Sequence, residues 1–139
     1  MTESHAGWRF RHTVRVPYAH TDQMGFVYYA HYFVYFEMAR SEFLRECGLP
    51  YGELEQRGIR LPVVEAHCEY RRPARYDDLL TVVSRCQFDG PRLRVEYELR
   101  REGECLAHGH TVHVCLGTNG RPVRPAPELR RLTQSSAAG

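Results

Sequence analysis

Alternating hydrophobic and polar positions run from residue 8 to residue 16. A period of two is typical of a β-strand that buries one face, and Pro17 directly after it favours an end to the strand. Residues 18–29 follow without a regular period and carry several aromatic side chains. We therefore expect a strand at residues 8–16 and an ordered loop after it.

The clearest helical pattern covers residues 30–47. Apolar side chains recur there at helical spacing. One stripe consists of Tyr32, Phe36, Ala39 and Phe43. Other apolar residues widen this stripe to most of the circumference, and a helix that is apolar nearly all round is expected to be buried nearly all round. Gly48 supplies a stop signal, and a second, short helix is expected at residues 51–57.

Four later segments are rich in β-branched and aromatic residues, which favour strands. They cover residues 61–72, 79–88, 93–101 and 105–116. The short loops between consecutive segments predict antiparallel hairpins. One apolar helix and about five strands have one economical arrangement, in which an antiparallel sheet curls around the helix and both bury their apolar faces. We predict an α+β fold of this kind. Its open sheet edges predict a homo-oligomer, either a dimer or a tetramer.

The length of 139 residues predicts a single domain over residues 1–139. We expect residues 8–125 to form its ordered core and the proline-rich tail to be frayed. The N-terminal residues contain no apolar run of the kind found in signal peptides, and no apolar stretch approaches the roughly 18 residues of a membrane span. These patterns predict a cytoplasmic protein without membrane insertion.

Composition excludes several kinds of chemistry. All 19 lysine-or-arginine positions are arginine, so mechanisms that need a lysine, such as Schiff-base catalysis or a Walker-type phosphate loop, are excluded. A net charge of +2 gives no argument for nucleic-acid binding. The five cysteines form no CxxC pair, so neither a disulfide framework nor a zinc ribbon is expected. Strand alternation separates His113 from His108 and His110, so we expect no metal site there.

The loop before the helix holds the best candidate for catalysis, Asp22. Gly25 allows this loop to turn sharply. A carboxylate between an aromatic loop and a buried helix start is expected to have little access to water, which favours acid–base or nucleophilic chemistry. No Ser, Thr, Asp or Asn lies within residues 27–33 to cap the helix, so its first amides are expected to be open to a ligand oxygen. Alternatively, Asp22 only binds loop amides in an Asx turn.

These residues carry a resemblance to a known family. The sequence DQMGFVYYAHY at residues 22–32, followed by FEMARSEFL at residues 36–44, resembles the signature of the 4-hydroxybenzoyl-CoA thioesterase family. The likeness continues through PARYDDLLT at residues 73–81 and GECLA at residues 103–107, and it spans roughly residues 10–124. It implies a hotdog fold, in which the sheet wraps around one long central helix. It also implies a hydrolase that cleaves acyl-CoA thioesters without metal or bound cofactor.

The resemblance further implies roles for individual residues. Asp22 corresponds to the aspartate that acts as nucleophile or general base, and the amide of Tyr29 to part of the oxyanion hole. Thioesterases associated with the Tol-Pal system have histidine where this chain has Tyr29, whereas the aromatic-CoA branch has tyrosine, so the chain resembles the latter more. Residues expected to line or support the substrate site are Tyr18, Gly25, Phe26, Tyr28, His31 and Tyr32.

Several alternatives stay open. Some hotdog enzymes place the working carboxylate on the helix, where this chain has Glu37, although a buried salt bridge to an arginine is the expected role of that residue. An enoyl-CoA hydratase or a non-catalytic acyl-CoA binding protein would suit the same fold. The expected assembly is a homotetramer or a dimer, and the identity of the acyl group stays open.

Overall fold

The structure is a computed structural model that describes residues 10–125, 127, 129 and 130. They include five strands, two α-helices and one short 3-10 turn at Tyr18–His20. The strands are β1 (Phe10–Arg15), β2 (Val63–Tyr70), β3 (Leu79–Asp89), β4 (Arg92–Arg101) and β5 (Glu104–Val114), and the helices are α1 (His31–Glu46) and α2 (Tyr51–Gln56). Each predicted element in the described part is present, with ends shifted by at most two residues. The expectations for residues 8–9 and for the end of the tail lie outside the described residues.

The five strands form one antiparallel sheet in the order β1-β3-β4-β5-β2. The two hairpins, β3–β4 and β4–β5, occupy its centre, and the strands that flank the helices in sequence, β1 and β2, form its two edges. The long helix α1 packs against this sheet. The predicted α+β fold, with an antiparallel sheet and one long helix, is therefore confirmed.

The core lies between α1 and the inner face of the sheet. The helix buries six side chains, including Phe36 and Phe43. Phe36 stacks in parallel on Tyr97 of β4 with ring centroids 4.4 Å apart, and Phe43 stacks on Phe10 of β1 at 5.3 Å. Parallel aromatic stacks at these distances combine large apolar burial with favourable ring geometry.

The helix is less buried than its sequence predicts. Val34 is 39% exposed and Met38 is 38% exposed, so the expectation that α1 is buried nearly all round is wrong. A single sheet covers only one side of a helix, and in one chain the opposite side is left facing solvent. Gly48 ends the helix as predicted: its φ is +80°, a conformation that glycine adopts readily, and the Leu49 amide donates to the Leu44 carbonyl at 2.8 Å.

A chain of buried polar groups crosses this core. The Arg40 guanidinium donates to the Tyr97 hydroxyl at 3.1 Å, which is 2.8 Å from the Thr111 hydroxyl. Thr111 in turn lies 2.8 Å from Nε2 of His113, whose Nδ1 is 3.0 Å from the Leu61 carbonyl. Each group therefore has a partner, as buried polar groups require.

Strand β2 is the exposed edge of the sheet. Val63, Val64 and Tyr70 are 49%, 52% and 44% exposed, and among the described strands only β5 pairs with β2. Its approach to β5 is close, because a Cβ at Gly109 of β5 would lie 2.2 Å from the His67 carbonyl oxygen. In the part of the chain described here, neither helix is long and apolar enough to cross a membrane.

Candidate active site

The loop that carries Asp22 is held closed by its own backbone. Thr21 and Val27 pair as an isolated antiparallel bridge, and between them the Asp22 amide donates to the Phe26 carbonyl at 2.8 Å. Gly25 has a φ of +82° and nothing within 4 Å of where a Cβ would lie. Glycine is therefore favoured at this position by the backbone conformation rather than by lack of space. We call residues 21–27 the Asp22 loop.

The Asp22 carboxylate forms the Asx turn that was one of the two expectations for it. Its Oδ1 accepts hydrogen bonds from the amides of Met24 at 2.9 Å and Phe26 at 3.2 Å. Oδ2 has no protein partner within the described residues. Asp22 is also exposed in the single chain, so the expectation that it has little access to water is wrong for the single chain. The turn fixes one oxygen and leaves the other available to a ligand.

The start of α1 offers unpaired backbone donors. Ala30, at the N-cap, makes no side-chain capping bond. The amides of His31, Tyr32 and Phe33 donate to the carbonyls three residues before them, at 2.9, 3.2 and 3.2 Å, so the expectation that the first amides of the helix are open is wrong for these three. The amides of Tyr29 and Ala30 have no acceptor among the described residues. These two donors lie at the positive end of the helix dipole, which favours a developing negative charge.

Exposed aromatic rings surround this helix start. Tyr28 and Tyr29 are 46% and 60% exposed, with ring centroids 4.7 Å apart. Tyr70 of β2 lies edge-on to Tyr29 at 6.4 Å, and its hydroxyl donates to the Tyr29 carbonyl at 3.0 Å. Sequence reasoning missed Tyr70. Its strand was predicted, but which loop the end of that strand meets depends on the long connection through both helices.

A pair of histidines lies on the other side of the helix start. The ring of His31 stacks on that of His20 with centroids 4.1 Å apart, and His20 Nδ1 is hydrogen-bonded to the Tyr35 hydroxyl at 2.9 Å. Burial, and then the charge of His31, lower the pKa of His20. Burial raises the pKa of Tyr35 to about 12, so its hydroxyl stays protonated. His31 Nδ1 is buried and has no hydrogen-bond partner in the described part of the chain.

The segment at residues 73–78 is packed against the Asp22 loop. The Val27 amide donates to the Ala74 carbonyl at 2.8 Å, Phe26 and Arg75 form an isolated bridge, and the Arg75 guanidinium lies 5.2 Å from the centre of the Phe26 ring. The Ala74 amide donates to the Tyr32 hydroxyl at 3.1 Å. Tyr32 is 3% exposed, so it supports the loop from the core. We call residues 73–78 the supporting segment.

Residues 16–132 match the family model of the thioesterase-like superfamily. The chain belongs to this family. It is 36% identical over 121 residues to a protein of Aquifex aeolicus named "Putative esterase", covering 83% of this chain and 90% of that one. It is 28% identical over 126 residues to a 1,4-dihydroxy-2-naphthoyl-CoA hydrolase of Synechococcus elongatus, covering 88% and 91%. A crystal structure of a hypothetical protein from Thermus thermophilus superposes with a TM-score of 0.85 at 37% identity, covering 92% and 99%.

Membership of the thioesterase-like superfamily confirms the hotdog fold and an enzyme that hydrolyses thioester bonds. It does not test the roles assigned to single residues. Those predicted residues are nevertheless close together: Gly25 and Phe26 lie in the Asp22 loop, and Tyr28 and His31 flank the unpaired amides. Tyr18 is 75% exposed and packs edge-on against Tyr76 of the supporting segment, with centroids 5.6 Å apart.

Glu37, the alternative candidate for the catalytic carboxylate in this thioesterase-like chain, lies on α1, away from the Asp22 loop. It is exposed and lines a cavity of about 250 Å³ together with Arg40 and Ser41. The expected buried salt bridge is wrong, because among the described residues Glu37 has no ion-pair partner and the nearby Arg40 is bonded to Tyr97. The predicted separation of the strand histidines is present: His108 lies on the outer face of β5, whereas His113 is 1% exposed on the inner face.

Proposed function

We propose that this chain hydrolyses acyl-CoA thioesters to the free acid and CoA, with Asp22 as nucleophile or general base. The observation that carries the proposal is that a carboxylate with one available oxygen, Asp22, and the unpaired amides of Tyr29 and Ala30 at the helix start belong to the same part of the structure. The Asp22 loop and that helix start are adjacent, since the amide of Tyr28, just after the loop, donates to the carbonyl of His20, just before the loop, at 2.9 Å. The CoA hydrolase of Synechococcus elongatus supports the substrate class.

In this reaction the thioester carbonyl oxygen accepts hydrogen bonds from the amides of Tyr29 and Ala30. Asp22 Oδ2 either attacks the carbonyl carbon or removes a proton from an attacking water. The tetrahedral intermediate carries its negative charge on the oxygen that faces these amides, and preorganised donors of this kind are each worth about 3 kcal/mol. The carbon–sulfur bond then breaks and CoA leaves as a thiolate, which needs no strong acid. In the general-base route this step releases the free acid directly. In the nucleophilic route a water then hydrolyses the mixed anhydride formed on Asp22, which releases the acid and restores the carboxylate.

The substrate we favour is an aromatic acyl-CoA. Tyr28, Tyr29 and Tyr70 present exposed ring surface next to the oxyanion donors, and aromatic faces pack well on planar acyl groups. The relative that acts on a naphthoyl-CoA supports the same choice. Direct contact of Tyr18, Phe26 or His31 with the substrate stays a prediction.

We further propose that the enzyme works as a homo-oligomer, a dimer or a homotetramer. In the single chain Asp22 and Tyr29 lie open to solvent on one side, whereas a thioesterase site needs walls that exclude water. The exposed edge strand β2 carries Tyr70 into this region and has unpaired backbone groups along one side. Sedimentation analysis tests the assembly, and a monomer that is fully active contradicts it.

The test of the reaction is Asp22→Asn, assayed by thiol release from a panel of aromatic and aliphatic acyl-CoAs. Asparagine keeps the oxygen that accepts from Met24 and Phe26, so the loop is expected to remain folded, while kcat is expected to fall roughly a hundredfold or more. The matched control is Glu37→Gln, for which we expect kcat close to that of the wild type.

Normal turnover in Asp22→Asn contradicts the proposal, and a large loss in Glu37→Gln assigns the chemistry to the helix instead. A wild-type protein that consumes the conjugated double bond of an enoyl-CoA without releasing thiol is a hydratase. One that binds acyl-CoA and releases no thiol is a binding protein.

A further inference from the structure

The supporting segment is itself held by one arginine at the end of β4. Nη1 of Arg101 donates to Oδ2 of Asp78 at 2.7 Å and to the Pro73 carbonyl at 3.4 Å. Its Nη2 donates to Glu104 at 3.3 Å. The side chains of Arg101 and Asp78 are only 23% and 22% exposed, so this pair is largely withdrawn from solvent. The Arg101 guanidinium therefore contacts both ends of the supporting segment at once.

From Asp78 and Pro73 the contacts lead to the Asp22 loop. Oδ2 of Asp78 also accepts from the Arg75 amide at 2.9 Å, which fixes the turn at the middle of the segment. Between Pro73 and Arg75, the Ala74 carbonyl accepts from Val27. Phe26, paired with Arg75, binds Asp22 twice: its amide donates to Oδ1, and its carbonyl accepts from the Asp22 amide. The hydrogen bonds named in this path range from 2.7 to 3.4 Å.

We infer that Arg101 is a positioning residue for thioester hydrolysis, which sets the place of the Asp22 carboxylate through Asp78 and the supporting segment. The inference rests on the proposed role of Asp22. Arg101 itself need not touch the substrate. The planar, forked guanidinium of this one side chain donates to three acceptors, on Pro73, Asp78 and Glu104. A lysine ammonium lacks this forked geometry.

The expected effect of losing Arg101 follows from the geometry of catalysis. A displacement of about 1 Å at a reacting group can reduce turnover by roughly a hundredfold. Asp22 keeps its own Asx turn without Arg101, so the displacement is expected to be partial. We therefore expect Arg101→Met to lower kcat by about tenfold or more with little change in KM.

Arg100 provides a matched control on the same strand. Its Nη1 donates to Glu98 at 2.7 Å, the same distance as in the Arg101–Asp78 pair, and the two side chains are 14% and 12% exposed. Its other hydrogen bond is with the Gly103 carbonyl, and within the described residues it forms no hydrogen bond or ion pair with the supporting segment. Arg100→Met therefore removes a comparable ion pair and is expected to leave kcat unchanged.

The experiment measures kcat, KM and melting temperature for Arg101→Met, Arg100→Met and Asp22→Asn, and for the double variant of Arg101 and Asp22. If Arg101 acts through Asp22, Arg101→Met lowers kcat in the wild type but adds little to the loss in Asp22→Asn. A purely structural role predicts instead that the two losses multiply. Should Arg101→Met fail to fold, Asp78→Asn removes the same ion pair while keeping an oxygen for the Arg75 amide, and the same pattern is expected of it.

Wild-type kcat in Arg101→Met, an equal loss in Arg100→Met, or multiplying losses in the double variant each overturn the positioning role while leaving the function of Asp22 intact. Full activity in Asp22→Asn overturns the proposed function itself, and the positioning role with it. The two failures are therefore distinguishable.

Discussion

The buried hydrogen-bond network from Arg40 to Leu61 leads to a specific prediction about how stability depends on pH, centred on His113. The Leu61 carbonyl can only accept, so Nδ1 of His113 carries the proton and Nε2 accepts from the Thr111 hydroxyl. At the other end of this hydrogen-bond network, Arg40 can only donate to Tyr97. Every bond then runs in one direction, from Arg40 to Leu61. Protonation of Nε2 would place two donors face to face and a charge in the core.

The magnitude follows from the pKa of His113. Burial, which outweighs the raising effect of the Leu61 carbonyl, lowers that pKa from 6.5 to about 4. The unfolded chain therefore takes up a proton at His113 before the folded chain does. The stabilising contribution is fully present above pH 6.5 and is lost as the pH falls from 6.5 towards 4. Since each pKa unit corresponds to about 1.4 kcal/mol, the loss between pH 7.5 and pH 5 is about 2 kcal/mol.

The assay is urea unfolding at fixed protein concentration, at pH 7.5 and at pH 5, for the wild type and for His113→Gln. The variant is expected to be less stable at pH 7.5, because the substitution disturbs the bonds of His113 to Thr111 and Leu61. Because glutamine does not titrate, the variant is expected to lose about 2 kcal/mol less stability than the wild type on acidification. His108→Gln is the control, because His108 lies on the same strand but on its outer face. If His113→Gln loses as much stability as the wild type between the two pH values, His113 is not a neutral buried group in this fold.

Two further predictions concern close packing and thiol reactivity. Gly109→Ala places a Cβ 2.2 Å from the His67 carbonyl oxygen, so urea unfolding should show a loss of stability of about 2 kcal/mol or more. The control is Gly52→Ala, which has no atom within 4 Å of the new Cβ and should be neutral or stabilising. Equal effects of the two substitutions would contradict the close approach of β2 to β5. Cys68 is half-buried against the core, and burial raises the pKa of its thiol to about 11. Its modification at pH 8, followed by mass spectrometry, should therefore be roughly a hundredfold slower in the native protein than in urea. Equal rates would show that the thiol is not packed against the core.

Local patterns in the sequence were sufficient to predict the elements of the fold. The helix expected at residues 30–47 is α1 at His31–Glu46, because helical spacing of large apolar residues and the stop at Gly48 are local signals. The strand order is a different matter. Nothing in residues 61–72 indicates that β2 lies at the edge next to β5 and not beside β1. That placement depends on the helices that precede it and on where the sheet leaves room.

For the candidate site, the sequence predicted several residues that the structure brings close together, but not their environment. Asp22 and the uncapped helix start were both predicted from the sequence, and the structure leaves the amides of Tyr29 and Ala30 unpaired within its described part. The low water access expected at Asp22 was wrong for the single chain. Burial of a loop residue depends on which surfaces cover it, and a pattern of side chains along one segment carries no information about that.

The stretches at residues 22–32, 73–81 and 103–107, which carry the family resemblance, are connected in space. The first holds Asp22, and the second pairs with it through Ala74 and Arg75. The third contains Glu104, whose carboxylate binds Arg72 at 2.8 Å and Arg101 at 3.3 Å. On the proposed role of Asp22, the second and third stretches would contribute to catalysis without chemistry of their own. The second stretch packs directly against the exposed loop that holds Asp22, and the third reaches it only through Arg101.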